Sequence, residues 1–142
     1  EMCIRDRICV AHGDKIFTNQ ENIKPLGHSI ECRINAESSK DFKPSAGKIE
    51  MYHPPAGNGI RLDTFIYSGY KVPHYYDNLL AKLISTGRTR NHAIKRALRS
   101  LNEIVIDGID TNIELHKKIL SSPEFKNGGV AINWLENNIE KL

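Results

Sequence analysis

The stretch GHSIECRINAE, residues 27–37, alternates strictly between apolar and polar side chains from Ile30 onward. A period of two is typical of a β-strand that buries one face. The predicted inward positions are Ile30, Cys32, Ile34 and Ala36, and the predicted outward positions are Glu31, Arg33, Asn35 and Glu37. Cross-strand charge pairs contribute little stability, about 0.2–1 kcal/mol each. We expect the outward row to pair with other polar groups, and we do not expect it to take part in catalysis.

The composition allows one globular domain and argues against several classes of protein. A chain of 142 residues with 39% hydrophobic and 26% charged residues is ordinary for a folded domain. The net charge of +3 is weak and the basic residues are scattered, so we do not expect nucleic-acid binding. No apolar run approaches the roughly 20 residues of a membrane span. The three cysteines form no CxxC pair and the histidines lie far apart, which favours reduced thiols in the cytoplasm and no metal site.

The order of the predicted elements favours an α+β fold, an antiparallel β-rich unit followed by amphipathic helices. A helix is expected to end near Gly13, since glycine often follows the last helical residue. Further strands are predicted at residues 48–53, 60–67 and 79–84. The segment PPAGNG, residues 54–59, predicts a turn between two strands.

The helical part is expected to cover residues 88–142. One apolar stripe recurs at helical spacing and consists of Ala93, Ile94, Ala97, Leu98, Leu101, Ile104 and Val105. Gly108 is a candidate C-cap, Asp110 or Thr111 a candidate N-cap, and Ser122 with Pro123 a candidate start of another helix. The last predicted amphipathic helix carries Ile132, Leu135, Ile139 and Leu142.

The residues alone give no complete catalytic set, because no Walker loop, nucleophile elbow or HExxH motif is present. Arg61 stands out because it follows a glycine-rich turn and begins a strand. Its planar guanidinium could meet an anion. The spacing alone favours a plainer interpretation, an ion pair with Asp63 or across strands on a wet face.

Lys82 lies within the apolar run LLAKLI, where an unpaired lysine is rare, so we expect it to meet an acid such as Asp77 or Glu31. The segment PHYYDN before this run, residues 73–78, is interpreted as a turn into a core strand. Its aromatic residues leave a pocket wall as the alternative.

Four blocks, in order, resemble biotin carboxylase. They are GHSIECRINAE, KPSAGKIEMYHPPAGNGIRLDTFIYSGY, VPHYYDNLLAKLI and IDGIDTNIELHKKIL. The chain is similar to the C-terminal part of this ATP-grasp family from about residue 10 onward, and most to the separate subunit of bacterial and plastid acetyl-CoA carboxylase. The resemblance implies that residues 1–26 end the ATP-grasp region, with 1–7 departing from the family's pattern, and that residues 27–142 form the C-terminal domain.

The resemblance also implies an activity. Biotin carboxylase uses ATP, Mg²⁺ or Mn²⁺, and bicarbonate to carboxylate biotin on a carrier protein, for malonyl-CoA and fatty acid synthesis in the cytoplasm or plastid stroma. The implied partners are the biotin carboxyl carrier protein, carboxyltransferase subunits and a second copy in a homodimer. Arg61 matches the catalytic arginine of the biotin–bicarbonate site, where its charge would stabilise the biotin enolate. Arg90 matches an arginine of the dimer interface, although the family's nearby aromatic residue is Thr86 here.

The family's glycine-rich lid, nucleotide-binding lysines, Mg-ligating acids and bicarbonate-binding segment have no counterpart in this sequence. We therefore expect the 142-residue chain to be inactive by itself. Two alternatives stay open. The chain could belong to pyruvate carboxylase or another acyl-CoA carboxylase, or it could be a non-catalytic dimerisation or docking module.

Overall fold

The computed structural model describes residues 2–139, so Leu142 of the last predicted helix lies outside them. The strands are β1 (His28–Asn35), β2 (Gly47–Lys48), β3 (Met51–His53), β4 (Ile60–Thr64), β5 (Lys71–Val72), β6 (Leu79–Gly87) and β7 (Val105–Asp107). The helices are α1 (Met2–His12), α2 (Arg90–Glu103), α3 (Ile113–Ser121), α4 (Pro123–Asn127) and α5 (Trp134–Asn138). No helix within residues 2–139 has the length and apolar character needed to cross a membrane.

The described strands form three small antiparallel sheets, which together with the helices confirm the predicted α+β class. The main sheet has the order β1-β6-β4, and β2–β5 and β3–β7 are two-stranded. The turn at residues 54–59 connects β3 to β4, as predicted, although these strands belong to different sheets.

The strand predicted at residues 48–53 is two strands, because the chain changes partner at Ile49 and Glu50. The fully buried Ile49 exchanges backbone hydrogen bonds with Gly69 and Tyr70, at 2.6 and 2.9 Å. The next residue, Glu50, donates its N–H to the carbonyl of Asp107 at 2.8 Å. The first part of this segment, β2, therefore pairs with β5, and the last part, β3, pairs with β7.

The core lies between the main sheet and α2. The alternation of β1 is confirmed, since Cys32, Ile34 and Ala36 are 2%, 0% and 1% exposed. They pack in one cluster with the apolar stripe of α2, which buries Ala93, Ile94, Ala97 and Leu101. Each large aliphatic side chain buried here contributes about 1.5–3 kcal/mol. Burial, together with the negative charge of Glu31, raises the pKa of the Cys32 thiol to about 12.

Helix α2 ends earlier than its apolar stripe predicts. Val105 belongs to β7, which pairs with β3, because β-branched residues favour a pleated strand. The prediction of Gly108 as a helix C-cap is therefore wrong. Gly108 has a φ of +99° in the turn after β7, and a Cβ there would collide with the carbonyl of Lys48.

The other helix boundaries divide between confirmed and wrong predictions. Gly13, at φ +98°, directly follows α1. The hydroxyl of Ser122 accepts from the N–H of Phe125 at 3.3 Å and Pro123 opens α4, both as predicted. The N-cap of α3 is Asn112 and not Asp110 or Thr111. Ile132 is fully exposed and precedes α5, a five-residue helix without buried residues, so the part of this segment that the structure describes, up to residue 139, contains no long amphipathic helix.

Candidate functional site

Charged residues gather on the outer face of the main sheet, opposite to α2. Residues directly across antiparallel strands point to the same face. The register places Arg33 opposite Lys82, which in turn is opposite Asp63; the neighbouring row is Glu31, Ile84 and Arg61. We call the five ionisable residues the charged face. It consists of Glu31, Arg33, Arg61, Asp63 and Lys82.

Arg61 lies in this face at the start of β4, held by a bidentate pair. Its Nε donates to Oδ1 of Asp63 at 2.7 Å, and its Nη2 donates to Oδ2 at 2.8 Å. The two side chains are 71% and 41% exposed. The hydrogen bond from Arg61 lowers the pKa of the Asp63 carboxyl, and the charges of Arg61 and Lys82 add to this. The ion pair predicted from spacing is therefore confirmed.

The start of β4 is fixed by Gly59, which has a φ of +75°. Its carbonyl accepts the N–H of Thr86 at 2.8 Å, so the turn lies directly against β6. A Cβ at this position would collide with the carbonyl of Thr86 and the guanidinium of Arg96. The glycine-rich turn thus places Arg61 at a defined point of the sheet.

The prediction that Lys82 meets Asp77 or Glu31 is wrong. The acid opposite Lys82 is Asp63 of β4, and no ion pair of Lys82 with Asp77 or Glu31 occurs within 4 Å among residues 2–139. The register between β4 and β6 places Lys82 opposite Asp63, and the local sequence around Lys82 does not contain this information.

A second polar group lies at the end of β1. Glu37 accepts from the side-chain amides of Asn78 and Asn112, at 2.9 and 3.0 Å, and from Asn35 at 3.4 Å. Asn112 is 5% exposed; it also accepts the N–H of Asn35 at 2.9 Å and donates to the carbonyl of Arg33 at 3.1 Å. We call Asn35, Glu37, Asn78 and Asn112 the amide cluster.

The amide cluster confirms structural pairing for Asn35 and Glu37 of the outward row. Glu31 and Arg33 make no ion pair within 4 Å in residues 2–139, so the structural pairing of these two residues stays a prediction. Sequence reasoning missed Asn78 and Asn112. The sequence signal that could have found them is the amide of Asn35 and the acid of Glu37 at the end of a half-buried strand, because buried polar groups need hydrogen-bond partners.

His116 of α3 borders the amide cluster, with Nε2 2.9 Å from the carbonyl of Arg33. Its ring is half-buried. Burial lowers the pKa of His116, while the Arg33 carbonyl and the charge of Glu37 oppose this shift. The neutral ring with a proton on Nε2 fits this contact.

Arg90 begins α2 and joins it to α4. Its Nη2 donates to the carbonyl of Phe125 at 2.7 Å, and its guanidinium lies 4.7 Å from the centre of the Phe125 ring. These contacts lie within one chain. The dimer-interface role predicted for Arg90 stays a prediction.

The segment at residues 73–78 leads into β6, as predicted. Its residues His74 and Tyr76 also line a cavity of about 310 Å³ together with Ala36, Pro44 and Val72. The segment therefore forms both the turn into β6 and part of a pocket wall, the two interpretations that the sequence left open. Residues 2–139 contain no group of three or more His, Cys, Asp or Glu side chains that could hold a metal ion.

Comparisons with known proteins agree on one family. A model of the biotin carboxylase C-terminal domain matches residues 31–137. Biotin carboxylase of Pseudomonas aeruginosa is 44% identical over 136 residues, which cover 96% of this chain and 30% of that protein.

Solved structures give the same result. Campylobacter jejuni biotin carboxylase, in complex with β,γ-ATP, is 43% identical with a TM-score of 0.87 over 94% of this chain and 30% of that one. The biotin carboxylase domain dimer of Hydrogenobacter thermophilus 2-oxoglutarate carboxylase is 38% identical, with a TM-score of 0.89 and the same coverage.

This chain spans about 30% of the length of these relatives. The matched residues include β1 from Glu31 onward, the charged face, the amide cluster and helices α2 to α4. The chain belongs to the biotin carboxylase C-terminal domain family.

Proposed function

We propose that this chain is the C-terminal part of a biotin carboxylase, an ATP-dependent ligase of the ATP-grasp type. The intact enzyme would transfer a carboxyl group derived from bicarbonate to a ureido nitrogen of biotin on a carrier protein. The match of residues 31–137 to the family carries this proposal. Because the chain spans about 30% of its relatives, the activity belongs to the longer protein.

We propose the domain division that the sequence predicts: residues 1–26 end the ATP-grasp region, and residues 27–142 form the C-terminal domain. The exposure of α1 supports a boundary after it, because Ile4 and Ile8 are 66% and 64% exposed. An apolar helix side left open in this way suits a segment that packs against other parts of a larger protein.

We propose Arg61 as the catalytic residue that this chain contributes. Its fixed charge would stabilise the negative charge that develops on the ureido group when the nitrogen loses its proton. Its place on an open sheet face, 71% exposed, supports this role, since another part of the enzyme can bring biotin and bicarbonate to it.

ATP and Mg²⁺ or Mn²⁺ would be held by residues outside this chain, where they activate bicarbonate. The relative from C. jejuni was solved with β,γ-ATP, and that from H. thermophilus with MgADP and bicarbonate.

We propose a homodimer as the assembly, with a biotin carboxyl carrier protein and carboxyltransferase subunits as partners. The H. thermophilus relative is a domain dimer. Arg90 would act in the interface by fixing α2 against α4, since its side chain contacts Phe125.

The finer assignment is acetyl-CoA carboxylase, in fatty acid synthesis, in the cytoplasm or in the plastid stroma of a plant. The relative from P. aeruginosa named biotin carboxylase, at 44% identity, supports it. The 2-oxoglutarate carboxylase domain at 38% is the observation that keeps pyruvate and other carboxylases as a second candidate. Purification of the native complex, followed by assays with acetyl-CoA, pyruvate and 2-oxoglutarate, distinguishes them.

The first experiment compares the full-length protein that contains this chain with the purified 142-residue chain. We expect ADP release that depends on biotin and bicarbonate from the full-length protein and none from the chain alone. Omission of biotin serves as the control. Turnover by the chain alone, or a full-length protein without biotin-dependent ADP release, would contradict the proposal.

A further inference from the structure

The contact between Arg61 and Asp63 is more specific than two opposite charges on a surface require. The carboxylate takes two of the five guanidinium donors, at 2.7 and 2.8 Å, one on each oxygen. A bidentate pair fixes the plane of the guanidinium as well as its distance. An arginine side chain loses rotamer freedom when it is held in this way.

The sheet also sets the position of Asp63 relative to its neighbours. It lies two residues after Arg61 on β4, and so on the same face, and directly opposite Lys82 of β6. Lys82 is half-buried. Its positive charge faces the carboxylate from the neighbouring strand and helps to keep it ionised. A carboxylate between two cations is well suited to hold one of them in place.

Stability does not account for this arrangement. Exposed ion pairs contribute little to folding because water solvates both charges. The core between β6 and α2, with Leu83 and Leu101 fully buried, already holds the sheet together. The register also sets Arg33 directly opposite Lys82, and like charges in that position are unfavourable.

We propose that Asp63 is a positioning residue for Arg61, whose carboxylate fixes the direction in which the guanidinium meets biotin and bicarbonate. The inference rests on the proposed role of Arg61. Asp63 acts through the arginine and does not touch the reacting atoms, so its loss misplaces a charge that is still present.

The test uses the full-length protein with four variants: Asp63→Asn, Arg61→Ala, the double variant, and Glu50→Gln as a matched control. The control breaks another exposed pair of residues two apart, Lys48 and Glu50 at 3.0 Å. The measurements are kcat and KM for biotin carboxylation, the dissociation constant for ATP, and the melting temperature.

We expect Asp63→Asn to lower kcat/KM for biotin by about 10- to 100-fold, since a misplacement of about 1 Å can have an effect of this size. The ATP dissociation constant, the melting temperature and the activity of Glu50→Gln should stay unchanged. In the Arg61→Ala background, Asp63→Asn should cause no further loss, because Asp63 would act through an arginine that is already absent.

Two results overturn the inference while the proposed function stands. In one, Asp63→Asn is as active as the wild type although Arg61→Ala is impaired. In the other, the two losses multiply in the double variant, which gives Asp63 an independent role. A fully active Arg61→Ala overturns both the inference and the role proposed for Arg61.

Discussion

Two polar groups of the same domain, the Arg61–Asp63 pair and the amide cluster, are built alike and differ in burial. Each begins with two residues spaced by two along the chain, Arg61 with Asp63 on β4 and Asn35 with Glu37 at and just after the end of β1. Arg61 is 71% exposed, whereas Asn112 at the centre of the amide cluster is 5% exposed. An unsatisfied buried group loses its water without compensation, so burial makes the same kind of hydrogen bond necessary for folding. The exposed pair leaves stability nearly untouched and can serve chemistry.

The largest expected effect is on activity. Arg61→Ala in the full-length protein should lower kcat for biotin carboxylation by about 10²–10³-fold, the loss typical of removing a group that stabilises transition-state charge. The ATP dissociation constant should change little. Steady-state kinetics with free biotin and titration with a nucleotide measure the two quantities.

Arg33→Ala serves as the control for Arg61→Ala, because it removes another positive charge from the same face. A loss of equal size in both variants would mean that general charge, and not Arg61 itself, carries the effect. Normal carboxylation by Arg61→Ala would rule out its proposed role.

The next effect is on stability. Asn112→Ala removes the bonds to Glu37, Asn35 and the Arg33 carbonyl, and the half-buried N–H of Asn35 loses its side-chain acceptor. We expect the free energy of unfolding, measured by urea denaturation, to fall by about 2–4 kcal/mol. Asn58→Ala, at an exposed turn position, should have almost no effect. Equal behaviour of the two variants would remove the distinction between buried and exposed amides.

A smaller effect is expected from pH at the edge of the amide cluster. The fold lowers the pKa of His116 below its ordinary 6.5, so the unfolded chain takes up this proton first as the pH falls. The contribution of His116 is complete above about pH 6.5 and decreases as the pH falls toward the lowered pKa. The slope from this one group is at most about 1.4 kcal/mol per pH unit.

The measurement is urea denaturation between pH 5 and 8, roughly the range in which histidine titrates, for the wild type and His116→Gln. The variant should show a flatter dependence on pH, because the other titrating groups are common to both proteins. Parallel curves would show that His116 does not contribute.

The smallest effect is expected from Asp63→Asn on stability. Both partners of the exposed pair are solvated, so the melting temperature should stay within about 2 °C of the wild type. Calorimetry of the full-length variant checks this. A drop as large as that of Asn112→Ala would mean that the two polar groups do not differ in the way their burial indicates.

Local patterns predicted the elements whose signals lie within a few residues. The alternation of residues 27–37, the stripe of α2 and the Ser122–Pro123 start of α4 are of this kind. β7 was missed because Ile104 and Val105 continue the helical spacing, whereas Val105 pairs with His53 of the distant strand β3. The cap of α3 was missed because the side chain of Asn112 bonds to residues 75 to 79 positions away.

The candidate site likewise contains features that local sequence predicts and features that depend on the assembled fold. The pair of Arg61 with Asp63 follows from their spacing on one strand. The position of Lys82 opposite Asp63 depends on how β4 and β6 align, which is a property of the assembled sheet. The amide cluster likewise draws its members from β1, from the segment before β6 and from the start of α3.

The burial of Cys32 has a practical consequence. Cys32 is 2% exposed at the middle of β1, and with a pKa of about 12 its side chain is almost entirely the unreactive thiol at neutral pH. An alkylating reagent can reach it only when β1 separates from α2. In the 142-residue chain with serine at positions 3 and 9, the rate at which this one sulfur is modified would report how often the domain opens.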